Sequence, residues 1–194
     1  MKISFLDAYQ IFDSRGNPTL EVQLELENGE SGYGLVPSGA STGQFEALEL
    51  RDRNPKSFRG RSIYQAVEHV RGEISQELKG FEIENQKGID QRMIDLDGTP
   101  NKSRLGANAI LGASMAAASA AAKLQGIPLF ESIGAGNGTL MPLPEIQIIG
   151  GGAHANWRTD IQDFLIIAIG AESYSAALEM TFHVYHTAGD LLKE

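Results

Sequence analysis

The segment 19–27 constrains the fold of this chain more than any other, because apolar and polar residues alternate along it without interruption. The apolar positions hold Leu20, Val22, Leu24 and Leu26, and the polar ones hold Glu21, Gln23, Glu25 and Glu27. A period of two indicates a β-strand with one buried face and one exposed face. Asn28 and Gly29 follow at once, and this pair is a strong signal for a hairpin turn. With further strands predicted at 2–12 and 31–36, the chain is expected to open as a three-stranded antiparallel meander.

The pattern becomes helical further along the chain. Apolar residues recur at steps of three and four along 63–78, which predicts an amphipathic helix, and Gly80 is well placed to end it. A shorter helix is predicted over 87–96. An alanine-rich helix is predicted over 106–124, where small side chains allow close packing on a neighbour. The glycine-rich stretch 134–142 is the expected linker.

The region 139–194 is predicted to contain two strands, at 143–149 and 162–169, and a helix at about 172–193. The second strand is continuously apolar, which is typical of a strand buried on both faces. Two strands and one helix are too few elements to enclose a core of their own. We therefore expect two domains, 1–138 and 139–194, with the second packed on the first or belonging to a larger whole.

Composition excludes several classes of function. The formal net charge is −9 and the pI about 4.9, which argue against a nucleic-acid partner or an anionic membrane surface. The absence of cysteine rules out disulfides and thiolate metal sites, and it fits a reducing compartment. The N-terminus lacks the apolar core of a signal peptide, and the alanine-rich run falls short of the roughly 20 strongly apolar residues of a membrane span. A soluble, cytoplasmic protein is expected.

Four short motifs are distributed from one end of the chain to the other. They are DSRGNPT at 13–19, VPSGASTG at 36–43, DGTPNKSRLGANAILG at 97–112 and GGGAHA at 150–155. The second is a segment almost without side-chain bulk, which brings its backbone and its hydroxyls close to a charged ligand or metal ion, or is a plain turn. Together and in this order, the four motifs resemble those of the enolase family.

The resemblance implies a fold. In enolases an α+β capping domain, three strands and then helices, precedes a modified (β/α) barrel that begins strand, strand, helix, helix. The chain resembles the whole capping domain at 1–138 and the first strands and helix of the barrel at 139–194. A barrel usually needs about 250 residues, so most of the barrel is expected to be missing from this truncated chain.

The resemblance also implies a site in the first part of the chain. Ser41 matches a serine that binds a second Mg²⁺ through its hydroxyl and carbonyl oxygens, in keeping with the preference of magnesium for hard oxygen ligands. Gly39 and Ala40 provide room for the loop to close on substrate and are expected to contact it. The alternative for this segment is a tight turn without a ligand.

In the second part, barrel enzymes place their sites at the carboxyl ends of strands. His154 follows the first barrel strand, where a histidine can donate to a phosphate or to a leaving hydroxyl. We interpret His154 and Asp163 as catalytic, and Gln162 together with His154 as substrate-binding. The remaining histidines are expected to be surface or packing residues: His69, His183 and His186.

Three departures from the family pattern cluster at this second site. Asp163 stands where the family has glutamate, and an aspartate is one methylene shorter. Gly150 stands where the family usually has asparagine. Trp157 and Arg158 are bulky and cationic in a segment that is usually small and polar; they either cover the barrel mouth or reshape the pocket for a different anion. We interpret these changes as a divergent pocket on a retained scaffold.

Two residues are expected at a homodimer interface by resemblance, Arg15 and Glu21. Glu21 could pair with a cation of a partner subunit, or it could be only the solvated face of an alternating strand. The arginine that enolases carry a few residues earlier is Tyr9 here, so one expected ionic contact is missing.

The function implied is that of a lyase, which dehydrates 2-phosphoglycerate to phosphoenolpyruvate in glycolysis with Mg²⁺ as cofactor. The lysine base, the glutamate acid and the three carboxylates of the first metal lie, in the family, beyond residue 194. The 194-residue chain alone is therefore expected to be inactive. Two alternatives stay open: a divergent enzyme that acts on another phospho- or phosphono-carboxylate, and a non-catalytic binding or assembly module.

Overall fold

The computed structural model describes residues 1–39 and 43–193, with only the backbone of His154. The chain divides into two compact units, Met1–Gly138 and Thr139–Glu194. No helix within the described ranges is both long and apolar enough to cross a membrane.

The first unit opens with the antiparallel meander that the alternation predicted. Its strands are β1 (Ile3–Phe12), β2 (Pro18–Leu26) and β3 (Ser31–Leu35), and β2 lies between the other two. The leucine and valine side chains of β2 are fully buried, because the period of two turns every second residue toward the same face. The prediction of a meander followed by helices is confirmed.

Helices cover the buried face of this sheet. The predicted helix over 63–78 is present, but a π-helical turn at Val70–Ile74 separates α1 (Tyr64–His69) from α2 (Ser75–Leu78). The next helices are α3 (Gln86–Asp97) and α4 (Ala107–Gln125). A short helix that the sequence analysis did not predict, α5 (Leu129–Gly134), follows Pro128 and stands just before the expected linker.

Helix α4 lies directly against β2 and β3. Its small residues Ala113, Ala116, Ala117 and Ala120 are completely buried in the core. Two strand residues that face it are glycines, Gly32 and Gly34, so helix and strand backbones approach each other without intervening side chains. The large core of the first unit is built around this contact.

The second unit is a two-stranded antiparallel sheet with one helix. Its elements are β4 (Glu145–Gly150), a short 3-10 turn (Gly152–Ala155), β5 (Asp163–Ile167) and α6 (Tyr174–Leu191).

The expectation that the apolar second strand of this unit is buried on both faces is wrong for the described chain. Leu165 is 48% exposed and Ile167 43% exposed. One helix and one neighbouring strand supply too little surface to cover both faces of β5. The apolar run therefore indicates a strand that needs further partners.

This contrast predicts different behaviour for the two units when they are separated. A protein consisting of residues 1–138 is expected to unfold cooperatively, with a free energy of unfolding of about 5–10 kcal/mol. Residues 139–194 alone are expected to show no cooperative transition and to bind a hydrophobic dye, because their apolar side chains stay exposed. Urea unfolding followed by circular dichroism measures both. A cooperative transition of 139–194 by itself would contradict this expectation.

Candidate active site

The first motif forms the turn between β1 and β2. The carboxylate Oδ1 of Asp13 accepts hydrogen bonds from the backbone N–H of Arg15, at 2.9 Å, and of Asn17, at 2.8 Å. The bond from Asn17 is the main reason why the pKa of Asp13 lies below its ordinary value. Gly16 adopts φ +73°, in the left-handed region that favours glycine. The motif is thus a turn stabilised by hydrogen bonds within it, one of which holds the backbone of Arg15.

Arg15 connects the first motif to the second. Its Nη2 donates to the carbonyl oxygen of Ser38 at 2.8 Å, although 23 residues separate the two in the chain. The two motifs that stand out as a pair in the sequence are therefore in contact.

Three polar residues join the two ends of the segment 39–48, and we call Ser38, Glu49 and Arg51 the clasp. Arg51 Nη2 donates to Ser38 Oγ at 3.0 Å and to Glu49 Oε1 at 2.6 Å. Ser38 Oγ donates in turn to Glu49 Oε2 at 3.3 Å. Glu49 and Arg51 were not predicted from the sequence; the signal for them is an acidic and a basic residue two positions apart, six and eight residues after the end of the motif at 36–43.

A cavity of about 400 Å³ lies beside the clasp. Gly39 lines it and is exposed, as a residue near a ligand would be, and Arg15 and Arg61 line it as well. The other residues predicted for this site, Ala40 and Ser41, lie outside the described residues. Their predicted contacts to substrate and to Mg²⁺ stay predictions.

The described residues do not by themselves make a magnesium site. Across 1–39 and 43–193, leaving aside the side chain of His154, no group of three or more histidine or acidic side chains is arranged to hold a metal ion. The carboxylate in the cavity, Glu49, is bonded to Arg51, so one of its oxygens already has a charged hydrogen-bond partner. A metal held here would need oxygen ligands from elsewhere.

The third motif holds the far end of the same segment. The side chain of Asn108 accepts from the backbone N–H of Leu50 and donates to its carbonyl, both at 3.1 Å. The N–H of Leu48 donates to the carbonyl of Asn101 at 2.8 Å, and the carbonyl of Leu48 accepts from the N–H of Ala107 at 2.8 Å. The segment 48–50 is therefore bonded to the start of α4 and to the loop before it.

In the second unit, the antiparallel pairing brings the predicted site residues together. Gly150 at the end of β4 lies opposite Asp163 at the start of β5. The N–H of Gly151 donates to the carbonyl of Gln162 at 2.6 Å. His154 lies in the 3-10 turn that follows β4, and its side chain is outside the described residues. The backbone places these five positions at one end of the hairpin.

Gln147, which was not predicted from the sequence, lies next to Gly150 and Asp163, two positions that depart from the family pattern. Its Nε2 donates to Asp163 Oδ1 across the sheet. A Cβ atom at Gly150 would lie 3.3 Å from the same Nε2. A β-bulge between Gln147 and Ile149 brings the two positions near each other. Gln147 therefore occupies space beside Gly150 and holds the carboxylate of Asp163.

The turn between β4 and β5 is tightly constrained. A Cβ atom at Gly151 would lie 1.9 Å from the carbonyl oxygen of Ile161, so only glycine fits there. Asn156 and Trp157 both adopt positive φ, at 52° and 59°. Trp157 is 68% exposed and Arg158 is also exposed, so within this unit they present an aromatic and a cationic group to solvent.

The structure places the predicted interface residues on the first unit's surface. Glu21 is half-buried in β2, opposite Tyr9 and Leu35, and its partner in a second subunit stays a prediction, as does that of Arg15. The hydroxyl of Tyr9 donates to Asp7 at 2.6 Å, and this bond raises the pKa of Tyr9. Arg71 bonds Asp7 at 2.6 Å and lies over the Tyr9 ring.

The other histidines are placed as expected. His69 Nδ1 lies 2.9 Å from the carbonyl oxygen of Leu105, a packing contact. His183 and His186 are exposed on α6, where His183 lies 4.0 Å from Glu179 of the same helix.

Comparison with known proteins agrees with this architecture. Residues 3–133 match the model of the enolase N-terminal domain, and residues 138–194 match that of the enolase C-terminal TIM barrel domain. The chain is 50% identical over 192 residues to a protein named Enolase 1 of Desulfitobacterium hafniense (strain Y51), which covers 99% of this chain. The chain spans 44% of the length of that relative. The resemblance and the predicted fold class are confirmed, and the chain belongs to the enolase family, with the N-terminal domain and the start of the C-terminal barrel.

Proposed function

We propose that this chain is the N-terminal part of a lyase that dehydrates 2-phosphoglycerate to phosphoenolpyruvate. The observation that carries the proposal is the contact between the first two motifs, with Arg15 bonded to Ser38, on a chain that belongs to the enolase family. Ser38 stands three residues before Ser41, the expected magnesium ligand. Mg²⁺, a place in glycolysis, a cytoplasmic location and a homodimer with Arg15 and Glu21 at its interface are parts of the same proposal.

The hairpin supports the proposed roles in the second unit, which are catalytic for Asp163 and substrate-binding for Gln162. The side chain of Asp163 is bonded to Gln147, and its backbone pairs with Gly150. The backbone carbonyl of Gln162 is bonded to Gly151. His154, on the turn beside them, is proposed to donate a hydrogen bond to the substrate phosphate or to the leaving hydroxyl. The groups that remove the proton and hold the first metal are proposed to come from residues that this chain does not contain.

A divergent enzyme is the second candidate, and one observation favours it. Gln147 both occupies the space beside Gly150 and bonds Asp163, so two departures from the family pattern are coupled in one contact. A shorter carboxylate with a fixed amide partner presents its charge differently, and misplacement by about 1 Å can cost about 100-fold in rate. Such a site suits another phospho- or phosphono-carboxylate.

The third possibility, a non-catalytic binding or assembly module, predicts a well-covered second unit. The exposed apolar residues of β5 argue against a module that stands alone, because such residues usually mark a surface that binds a partner.

A chimera tests the proposal. The C-terminal part of the D. hafniense relative is joined after residue 194, and phosphoenolpyruvate is measured by its ultraviolet absorbance. We expect turnover of 2-phosphoglycerate that disappears when EDTA removes Mg²⁺, and none from the 194-residue chain alone. Turnover by the 194-residue chain would contradict the proposal.

The same chimera distinguishes the two enzyme candidates, with the relative as the matched control. If Asp163→Glu raises turnover of 2-phosphoglycerate, the pocket is that of an enolase with a shortened carboxylate. If the chimera ignores 2-phosphoglycerate but converts another phospho- or phosphono-carboxylate only with Mg²⁺, the divergent enzyme is supported.

A further inference from the structure

We propose that Arg51 is a positioning residue, which fixes the two ends of the segment 39–48 against each other through the clasp. The proposal concerns only these ends, because residues 40–42 lie outside the described residues. Its structural part stands alone, and its catalytic consequence rests on the proposed function.

The geometry of Arg51 accounts for this role. One amino group of its guanidinium, Nη2, bonds Ser38 just before the segment and Glu49 just after it. The other, Nη1, donates to the backbone carbonyls of Pro18, at 2.8 Å, and Arg61, at 2.5 Å. A single planar group therefore contacts both ends of the segment and two other parts of the chain, at Pro18 and Arg61.

Each end is also attached to a regular element of the fold. Before the segment, the buried hydroxyl of Thr19 in β2 donates to the carbonyl of Val36 at 2.6 Å. After it, Asn108 in α4 bonds both backbone groups of Leu50. The sheet holds one end and the helix holds the other, and among these contacts the clasp is the direct bridge between them. Closing a segment of ten residues costs entropy, which such a bridge offsets.

Arginine is the side chain that this role requires. Its planar fork offers donors in fixed directions to several acceptors at once, whereas lysine is a single point charge on a flexible stem. The side chain of Arg51 is only 17% exposed, and that of Glu49 is 31% exposed. The bonds of the clasp are therefore better shielded from water than those of an ordinary surface ion pair.

A matched control is present in the same unit. Arg92 pairs with Glu77 at 2.5 Å, but the side chain of Arg92 is 52% exposed and makes no contact with Ser38 or Glu49. Replacement of Arg92 removes the same kind of ion pair without touching the clasp.

Hydrogen exchange of the 194-residue chain tests the structural part. In Arg51→Met and in Ser38→Ala, amide exchange in peptides that cover 37–50 is expected to accelerate about tenfold, the effect of losing one net hydrogen bond. Peptides of β1 and of β2 from Leu20 onward should be unchanged, since Arg51 bonds only the first residue of β2, Pro18. Arg92→Met should match the unaltered chain everywhere. If Arg51→Met unfolds the unit, the exchange of Ser38→Ala tests the proposal instead, because that substitution removes a single hydroxyl. Unchanged exchange of 37–50 in Ser38→Ala would overturn the proposal.

The kinetic part uses the chimera with 2-phosphoglycerate. Arg51→Met is expected to lower kcat/KM by about 10- to 100-fold, as misplaced groups do, with most of the loss in kcat and with an unchanged folded fraction. Arg51→Lys should not restore kcat, since it keeps the charge but loses the fork. Full rescue by lysine would overturn the positioning role. If the unaltered chimera is itself inactive, the proposed function fails. Hydrogen exchange still tests whether the clasp holds the two ends of the segment together.

Discussion

Replacing Gly34 by alanine is expected to lower the free energy of unfolding of the Met1–Gly138 unit by about 3 kcal/mol, the upper end of the usual cost of overpacking. A Cβ atom at this position would lie 2.2 Å from the carbonyl oxygen of Gly112. At Gly32 it would lie 2.2 Å from the carbonyl oxygen of Ala116 and 2.3 Å from the backbone nitrogen of Ala120. These are backbone atoms of α4, so relief requires the whole helix to move away from β3.

Urea unfolding measures this effect, and Gly72→Ala is the matched control. A Cβ atom at Gly72 meets nothing within 4 Å, and the residue lies in the π-helical turn. The control should therefore be neutral or slightly stabilising, because alanine favours helical backbone over glycine by about 1 kcal/mol. A loss of under 1 kcal/mol in both Gly32→Ala and Gly34→Ala would show that α4 can shift at little cost, contrary to this expectation.

Replacing Asp97 by alanine is expected to destabilise the same unit by about 3 kcal/mol, the cost of removing charged hydrogen bonds from a buried site. Asp97 is 2% exposed. Its Oδ1 accepts from the backbone N–H of Thr99 at 3.0 Å and from the Thr99 hydroxyl, and its Oδ2 accepts from the N–H of Leu105 at 2.7 Å. The carboxylate thus ties together the loop between α3 and α4. Without it, these donors lose their partner in a place that water reaches poorly.

The pH dependence of stability tests whether the charge of Asp97 is what stabilises the unit. Burial acts to raise the pKa of Asp97, but the bonds from Thr99 and Leu105 outweigh it and hold the pKa below its ordinary value. A lowered pKa means that the stabilisation is complete above the unfolded value of about 3.9 and is lost as the pH falls through the folded value.

Unfolding curves of the unaltered chain and of Asp97→Asn, recorded between neutral pH and about pH 3, check this. Their difference in free energy should be constant near neutrality and should shrink only below about pH 4. A difference that is independent of pH down to the acid limit would show that the shape of the side chain matters and its charge does not.

The sequence predicted the local architecture well because the relevant signals lie in neighbouring residues. The alternation in 19–27 and the Asn28-Gly29 pair indicated a meander whose strands are present within one or two residues of their predicted bounds. The alanine-rich helix was predicted for the same reason. The π-helical turn and α5 were missed, since a single extra residue per turn and a six-residue helix leave little periodicity to detect.

The candidate site was predictable only in part. The motifs at 13–19 and 36–43 stood out as a pair, and Arg15 does contact Ser38. Arg51 and Gln147 were missed, because a pair of opposite charges or a single amide is common on protein surfaces and does not show which distant residue it contacts. Arg51 and Gln147 matter because of residues that they contact, and the distances along the chain to those residues follow no regular spacing.

By itself, the sequence determined the strands and the longer helices and, in the first unit, which face of β2 is buried, because periodicity along a short stretch decides how apolar surface is removed from water. It also determined the family, through four motifs in a fixed order. Only the tertiary structure decided that Arg51 bridges Ser38 and Glu49, that glycines let α4 rest on β3, and that β5 stays exposed within its unit. Each of these features depends on contacts between segments that are distant along the chain, and tertiary packing decides which segments come into contact.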